Sequence, residues 1–156
     1  MSDDWARLLD GRTAVVTGGG AGIGQAICRL FAEHGAHVEF AEVDADAAAS
    51  TVEQITAAGG SVRSHEVDVT SPDAVAAFAV DVLAAHPDVS VLVNNVGDYR
   101  PLVRFPDSSP ESWQTMYAIN LQHVFAVTHA FLPAMVKQRR GSIVNIHSVE
   151  AMRGYP

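Results

Sequence analysis

Thr17-Gly18-Gly19-Gly20-Ala21-Gly22-Ile23-Gly24 is the stretch from which the fold of this chain can be worked out. Before it, residues 12–16 are short, apolar and β-branched, which predicts a buried strand. After it, residues 25–34 carry apolar side chains at helical spacing. A strand, a glycine-rich turn and a helix in this order place free amides and the positive end of a helix dipole where a phosphate can bind. The glycines suit a tight turn, close approach of the backbone to a pyrophosphate, and close helix–strand packing.

Strands and helices alternate along the rest of the chain. Strands are predicted at about 12–17, 36–41, 61–67, 89–93 and 141–147, and helices at about 22–34, 44–58, 71–85 and 110–139. Pro133 is expected to end or kink the last helix. Strands that are apolar on both faces predict a parallel sheet covered by helices. We therefore expect one α/β domain over residues 1–156, a Rossmann-type doubly wound sheet with helices on both faces.

Composition narrows the possible partners. The formal net charge of −8 argues against general affinity for nucleic acid or anionic membranes. No segment approaches the roughly 18 uninterrupted apolar residues of a membrane span, and the first residues lack the pattern of a signal peptide. The single cysteine, Cys28, is expected to be a small buried hydrophobe in a reducing compartment. These features predict a cytoplasmic protein with no nucleic-acid or membrane partner.

Five features, in order, resemble those of the short-chain dehydrogenase/reductase family. Thr17-Gly18-x-x-x-Gly22-Ile23-Gly24 resembles its cofactor loop, and Asp68-Val69 the pair that meets the adenine ring. Asn94-Asn95-Val96-Gly97 is similar to the family's Asn-Asn-Ala-Gly, with valine in place of alanine. Asn120 resembles the active-site asparagine, and Ser148 the catalytic serine. The resemblance implies a nicotinamide cofactor, a small alcohol or ketone substrate, and a homo-oligomer.

Glu42 decides which nicotinamide cofactor is expected. It ends the second predicted strand, where an acid accepts hydrogen bonds from a ribose 2′-hydroxyl and repels a 2′-phosphate. No Arg or Lys lies beside it or within the glycine turn, so NAD is favoured over NADP. The alternative is that Glu42 is a solvated strand-end acid and that Asp44 merely caps the following helix.

The resemblance supplies only part of the catalytic apparatus. In the family a tyrosine is the acid/base, and a lysine four residues later lowers its pKa, while the serine orients the substrate oxygen and the asparagine holds a water. None of the three tyrosines in this chain (Tyr99, Tyr117 and Tyr155) has a lysine four residues later. We therefore expect a C-terminally incomplete member of the family that is inactive alone. It would be part of a longer protein, or a short polypeptide whose open side a partner covers, with strand five as an exposed edge.

The remaining histidines do not suggest a metal centre. His34 and His37 lie on either side of a glycine, and His123 and His129 have poor ligand spacing on one helix. No cysteine or carboxylate cluster completes a set, so no metal site is predicted.

Three further residues lie close to the predicted site. His147, beside the predicted serine, is expected to be a packed or hydrogen-bonded histidine beneath the sheet rather than a base. Arg100 and Arg104 follow the asparagine-rich turn, where they would either bind an acidic substrate or be solvated. The sequence thus predicts an NAD-dependent oxidoreductase domain, and the alternative is a catalytically dead NAD-binding or assembly module.

Overall fold

The computed structural model describes residues 7–149, so Tyr155 lies outside the described residues. Strands alternate with helices throughout. The strands are β1 (Thr13–Thr17), β2 (His37–Glu42), β3 (Ser61–Glu66), β4 (Val89–Asn94) and β5 (Ser142–Asn145). The helices are α1 (Gly22–Glu33), α2 (Ala45–Ala57), α3 (Pro72–Ala85), α4 (Pro110–Tyr117) and α5 (His123–Gln138), with a π-helical segment (Ala118–Gln122) joining the last two.

The strands form one parallel sheet in the order β3-β2-β1-β4-β5. The chain moves outward from β1 to β3, then returns to place β4 on the other side of β1. This reversal makes the carboxyl ends of β1 and β4 the topological switch point, where such sheets bind ligands. The predicted Rossmann-type doubly wound sheet is confirmed.

Each face of the sheet has its own apolar core. One contains Val15, Phe78, Val82 and Phe131 and lies under α3 and α5. The other lies under α1 and α2 and includes Cys28. That cysteine is fully buried, as predicted, and burial raises the pKa of its thiol to about 12. Two covered faces explain why the central strand β1 is buried throughout its length.

The long predicted helix is one helical run whose hydrogen bonding changes midway. The π-helical segment separates α4 from α5, and it contains Asn120. Pro133 lies within α5 and does not end it. A proline costs the helix one backbone hydrogen bond, and the packing of the neighbouring Phe131 and Met135 against the sheet holds the helix together.

Strand β5 forms an edge of the sheet in the part of the chain that the structure describes, as expected. It is shorter than predicted, and its four residues pair with β4 while remaining exposed. Ile143 and Val144 are 37% and 45% exposed. This edge therefore presents apolar side chains and backbone groups without a covering element among residues 7–149.

One helical stretch in the described range, Pro110–Gln138, has the length and composition of a membrane span, and 22% of its most apolar window is buried. Its buried residues, His123, Val127, Phe131 and Met135, recur every fourth position. This spacing is the stripe by which a helix packs on a protein core. Core helices of soluble proteins can have the same length and apolar composition.

A matched pair on α3 tests the packing under the sheet. Val82 is fully buried in the core, whereas Val80, two residues earlier, is 71% exposed. We expect Val82→Ala to lower the free energy of unfolding by about 2 kcal/mol or more, because it removes two buried methyl groups and leaves a cavity. Val80→Ala should change it by less than about 0.5 kcal/mol. Equal losses in urea denaturation would mean that α3 buries a different face.

Candidate functional site

Two loops meet at the switch point of the sheet. The glycine turn follows β1, and the Asn94–Gly97 segment follows β4. Asn95 joins them, because its Nδ2 donates to the carbonyl oxygens of Thr17 at 3.0 Å and Gly18 at 3.2 Å. In return, the Thr17 hydroxyl accepts the Asn95 backbone N–H at 3.0 Å. The first and third family-like motifs thus form one hydrogen-bonded unit.

The turn itself admits only glycine at several positions. Gly18 has a φ of +70°, in the left-handed region where side chains are strained. Gly24 begins the packed part of α1, and a Cβ there would lie 1.9 Å from the carbonyl oxygen of Gly18. Because that neighbour is backbone, it cannot move aside cheaply. Gly24 therefore lets α1 begin directly against the end of β1.

The N-terminus of α1 differs from those of α2, α3 and α4. Asp44, Ser71 and Ser109 cap those three helices with side-chain oxygens. Ala21 stands at the corresponding position of α1, and no side chain caps the helix there. The first amides of α1, from Gly22 onward, thus keep donors for an external acceptor, and the helix dipole favours an anion there. Ile23, in the same turn, is 63% exposed.

Glu42 lies against the glycine turn. Its Oε2 accepts the backbone N–H of Gly20 at 2.9 Å. Its Oε1 accepts those of Val43 at 2.9 Å and Asp44 at 3.2 Å. The carboxylate is thus held half-buried beside the turn, rather than free in solvent. Its contact with a ribose remains a prediction.

The residues after β3 divide between solvent and core. Asp68 is exposed, and its Oδ1 accepts both the N–H and the hydroxyl of Thr70, at 2.8 and 2.7 Å. Val69 is 5% exposed and packs in the core under α3. Both lie at the carboxyl edge of the sheet, and their adenine contact remains a prediction.

Asn94 lies inside the sheet rather than on its surface. It is 1% exposed, and its Nδ2 donates to the Thr128 hydroxyl at 3.1 Å and to Asn145 Oδ1 at 2.8 Å. These bonds connect β4 to α5 and β5. Its predicted contact with the cofactor remains a prediction, and the contacts that the structure shows hold neighbouring elements together.

Asn120 fastens the end of the Asn94–Gly97 segment to the π-helical turn. Its Nδ2 donates to the carbonyl oxygens of Asp98 at 2.7 Å and Met116 at 3.0 Å. Its Oδ1 accepts the Asp98 N–H at 3.1 Å. A Cβ on Gly97 would lie 3.2 Å from that same oxygen, so the glycine permits the close approach. The π-helical turn thus accommodates a side chain that bonds outside the helix.

His123 supports the same loop from beneath, a role that the sequence reasoning missed. It is 1% exposed, and its Nε2–H donates to the Val96 carbonyl oxygen at 3.0 Å. Burial lowers the pKa of this imidazole, against the opposing effect of the Val96 carbonyl. The neutral ring is therefore the donor form. Its spacing of three residues from Asn120, on one helix face, was the signal in the sequence.

Ser148 follows the edge strand at the same end of the sheet. The backbone N–H of Ile146 donates to the Asn94 carbonyl oxygen at 2.9 Å, which extends the pairing of β5 toward the serine. Ser148 itself is exposed. The expectation that His147 packs beneath the sheet is wrong, because its side chain is exposed beyond the last paired residue of β5.

Both loop arginines pair with nearby acids. Arg100 lies 2.9 Å from Asp98, and its hydrogen bond lowers the pKa of that carboxyl to about 2. Arg104 lies 2.8 Å from Asp107, and both arginine side chains are more than three-quarters exposed. Of the two alternatives, Arg100 and Arg104 are therefore solvated loop residues in this structure.

The family model of the short chain dehydrogenases matches residues 12–156. The chain belongs to the short chain dehydrogenase family. Among its relatives, a 3-oxoacyl-(acyl-carrier-protein) reductase of Chlamydia muridarum is 39% identical over 152 residues, which cover 96% of this chain and 60% of that protein. The chain therefore spans about three-fifths of the length of that relative.

Two solved structures of similar proteins hold different cofactors. A 7α-hydroxysteroid dehydrogenase complexed with NADH and 7-oxo glycochenodeoxycholic acid is 34% identical, with a TM-score of 0.91 over 99% of this chain and 60% of that one. A metagenomic short-chain oxidoreductase in complex with NADP is 41% identical, with a TM-score of 0.86 over 90% of this chain and 63% of that one. The likeness therefore leaves open whether NAD or NADP is preferred.

The contact between Gly24 and Gly18 is testable by adding one methyl group. Helix propensity alone predicts that Gly24→Ala stabilises α1 by about 0.5–1 kcal/mol. We expect the opposite, a loss of about 1–3 kcal/mol in the free energy of unfolding, because the Cβ meets backbone. Ala26→Gly, at an exposed position of α1, calibrates propensity and should cost about 0.5–1 kcal/mol. A gain for Gly24→Ala in urea denaturation would contradict the close packing.

Proposed function

We propose that this chain forms the cofactor-binding part of an NAD-dependent oxidoreductase that acts on a small alcohol or ketone. The observation that carries this proposal is the position of Glu42, whose carboxylate is bonded to Gly20 in the glycine turn. A carboxylate there is complementary to the two hydroxyls of an unmodified adenosine ribose, and it repels a 2′-phosphate. The glycine turn and the half-buried acid belong to the same surface.

The residues at the carboxyl edge fit the parts of a dinucleotide. The pyrophosphate would take the amides of the turn bounded by Gly18, Gly22, Ile23 and Gly24. The ribose would take Glu42. The adenine would lie near Asp68 and Val69, and the nicotinamide near Gly97, with Asn94 holding that loop in place. When bound, NAD would supply the acceptor for a hydride from the substrate alcohol.

Choice between NAD and NADP follows from charge rather than from relatives. The similar 7α-hydroxysteroid dehydrogenase holds NADH, and the similar metagenomic oxidoreductase holds NADP. In this chain residues 17–24 contain no Arg or Lys, and Glu42 is followed by Val43 and Asp44. A 2′-phosphate would meet uncompensated negative charge there, so we propose NAD.

For the chemistry, the proposal assigns roles to two residues. Ser148 would donate to the substrate oxygen, which stabilises the charge that develops on it. Asn120 would hold a water in the path of the proton, although its amide is already bonded to Asp98 and Met116. A proton donor and acceptor for the hydroxyl is also needed. No tyrosine with a lysine four residues later occurs in residues 1–156.

That last fact favours a second candidate function for the chain by itself. Without an acid/base, it would bind NAD and serve as a dead nucleotide-binding or assembly module. The homo-oligomer and the cytoplasmic location expected from the sequence are likewise proposals. Exposed apolar residues on one long helix offer an oligomer surface; they are Leu121, Phe125, Leu132 and Val136.

Cofactor preference is read from ligand protection against thermal unfolding. NAD should raise the melting temperature in a concentration-dependent way, and NADP should do so only at much higher concentration. Glu42→Ala should lower the affinity for NAD about 10- to 100-fold, because charge-assisted hydrogen bonds to the ribose are lost. It should also reduce the difference between the affinities for NAD and NADP. Glu53→Ala, an exposed acid on α2, is the matched control and should leave both affinities unchanged. Equal binding of NAD and NADP by the unaltered chain would refute the role of Glu42.

Turnover separates the two candidate functions. Residues 1–156 should catalyse no measurable reduction of NAD with a panel of secondary alcohols, because they do not contain the tyrosine–lysine pair. The protein extended by whatever coding sequence follows Pro156 should turn over at least one alcohol. Lack of activity in the extended protein, with NAD binding intact, would support the assembly module. Turnover by residues 1–156 would show that another group moves the proton.

A further inference from the structure

Three histidines converge on one buried carboxylate, far from the glycine turn. Glu39, in β2, is fully buried, and its Oε1 lies 2.9 Å from His37 Nε2 and 3.2 Å from His86 Nε2. Its Oε2 lies 2.5 Å from His65 Nε2. His37, Glu39 and His65 project from the sheet under α3, and His86 follows the end of that helix. We refer to His37, Glu39 and His86 as the histidine–glutamate cluster.

The cluster lies at the opposite edge of the sheet from the proposed cofactor site. His37 begins β2 and Glu42 ends it. Five residues of extended strand separate them, about 16 Å. The cluster therefore has no part in holding the dinucleotide, and an inference about it stands independently of the proposed function.

The geometry of the cluster also suits a metal ion. One atom from each of its three residues can be chosen so that all lie within 4.8 Å of one another. Around a tetrahedral Zn²⁺ with bonds of about 2.0–2.1 Å, neighbouring ligand atoms are about 3.3 Å apart. The separations of 2.9 and 3.2 Å from Glu39 Oε1 are close to that value. The His37 and His86 rings also stack, with centroids 4.2 Å apart, so the two imidazoles lie side by side at the same oxygen.

Outer partners orient these ligands as they do in zinc sites. His37 Nδ1 lies 2.6 Å from the Ser61 hydroxyl, and a bond donated there leaves the Nε2 lone pair for a metal. His65 holds the second oxygen of Glu39, which leaves Oε1 as a single-oxygen ligand. His65 Nδ1 in turn lies 3.4 Å from Asp81, which pairs with Arg63 at 2.8 Å.

Charge and access also suit a cation. Glu39 supplies a carboxylate oxygen, the type of ligand that brings negative charge to a divalent cation. The side chains of His37 and His86 are 24% and 29% exposed, so solvent reaches the two imidazoles that lie against Oε1. Two imidazoles and one carboxylate form a ligand set typical of Zn²⁺ with one position left for water.

We propose that His37, Glu39 and His86 form a Zn²⁺ site that fastens the start of β2 to the turn between α3 and β4. Spacing along the sequence does not predict this site, because His86 is distant in the chain from His37 and Glu39. The pairing of β2 with its neighbours and the return of the chain after α3 bring them together. The site belongs to a face of the domain that the dinucleotide does not use.

The experiment uses the untagged protein, stripped with chelator, and titrates Zn²⁺ by calorimetry. We expect one Zn²⁺ per chain, and Co²⁺ in its place should give the visible d–d bands of a tetrahedral site. His37→Gln and His86→Gln should each weaken Zn²⁺ binding by more than about 100-fold, and Ser61→Ala by about 10- to 100-fold. His129→Gln, an exposed histidine on α5, is the control and should bind as the unaltered protein does.

Two results would overturn the proposal. One is Zn²⁺ affinity in both cluster variants equal to that of His129→Gln, which would assign binding to scattered surface histidines. The other is no binding by the unaltered protein at micromolar Zn²⁺, which would leave the cluster as a hydrogen-bond network only. Thermal unfolding in chelator shows whether each variant is folded. Because His37→Gln and His86→Gln are tested separately, the proposal stays testable if one of them fails to fold. NAD affinity should be the same with and without Zn²⁺.

Discussion

The close approach of Gly24 to the carbonyl oxygen of Gly18 is the constraint on which the rest of the structure depends. It lets α1 start within one turn of the end of β1, so the helix lies directly on the sheet. With that crossing set, β2 is laid beside β1 and Glu42 arrives against Gly20. Asn95 then attaches the end of β4 to the same turn. A side chain at Gly24 would meet both Gly18 and Asn95, and would therefore push α1 away from the ends of β1 and β4.

Local pattern was sufficient for the elements and for their order, because both faces of the sheet are buried. An apolar β1 between a lead-in and a glycine turn has no other place than the centre of a parallel sheet. The same local reasoning expected Pro133 to end or kink the helix. It was wrong about an end, because tertiary packing of α5 offsets the missing hydrogen bond. It also extended β5 too far, because alternation of apolar residues continues past the last pairing with β4.

The candidate site was predictable where a motif is continuous and not where partners are distant. Glu42 could be placed by its position at the end of β2, yet its bond to Gly20 depends on how the turn folds back. Asn94 appeared as a cofactor contact, whereas its bonds to Thr128 and Asn145 require knowing which helix and strand lie beside β4. The histidine–glutamate cluster is the extreme case, since Glu39 and His86 are brought together only by the packing of α3. The local sequence around Glu39 or His86 does not predict their contact.

The sheet is unevenly protected from one side to the other. In β1 every residue is at most 4% exposed, and all but Thr17 are paired on both sides, whereas all four residues of β5 are exposed and pair on one side only. Amide hydrogens in β1 can exchange with solvent only when the whole domain opens, while those of β5 can exchange by local fraying. The glycine turn is therefore attached to the strand with the greatest protection, and Ser148 follows the strand with the least. Within residues 7–149, the proposed cofactor loop and the proposed catalytic serine thus lie in regions of very different local stability.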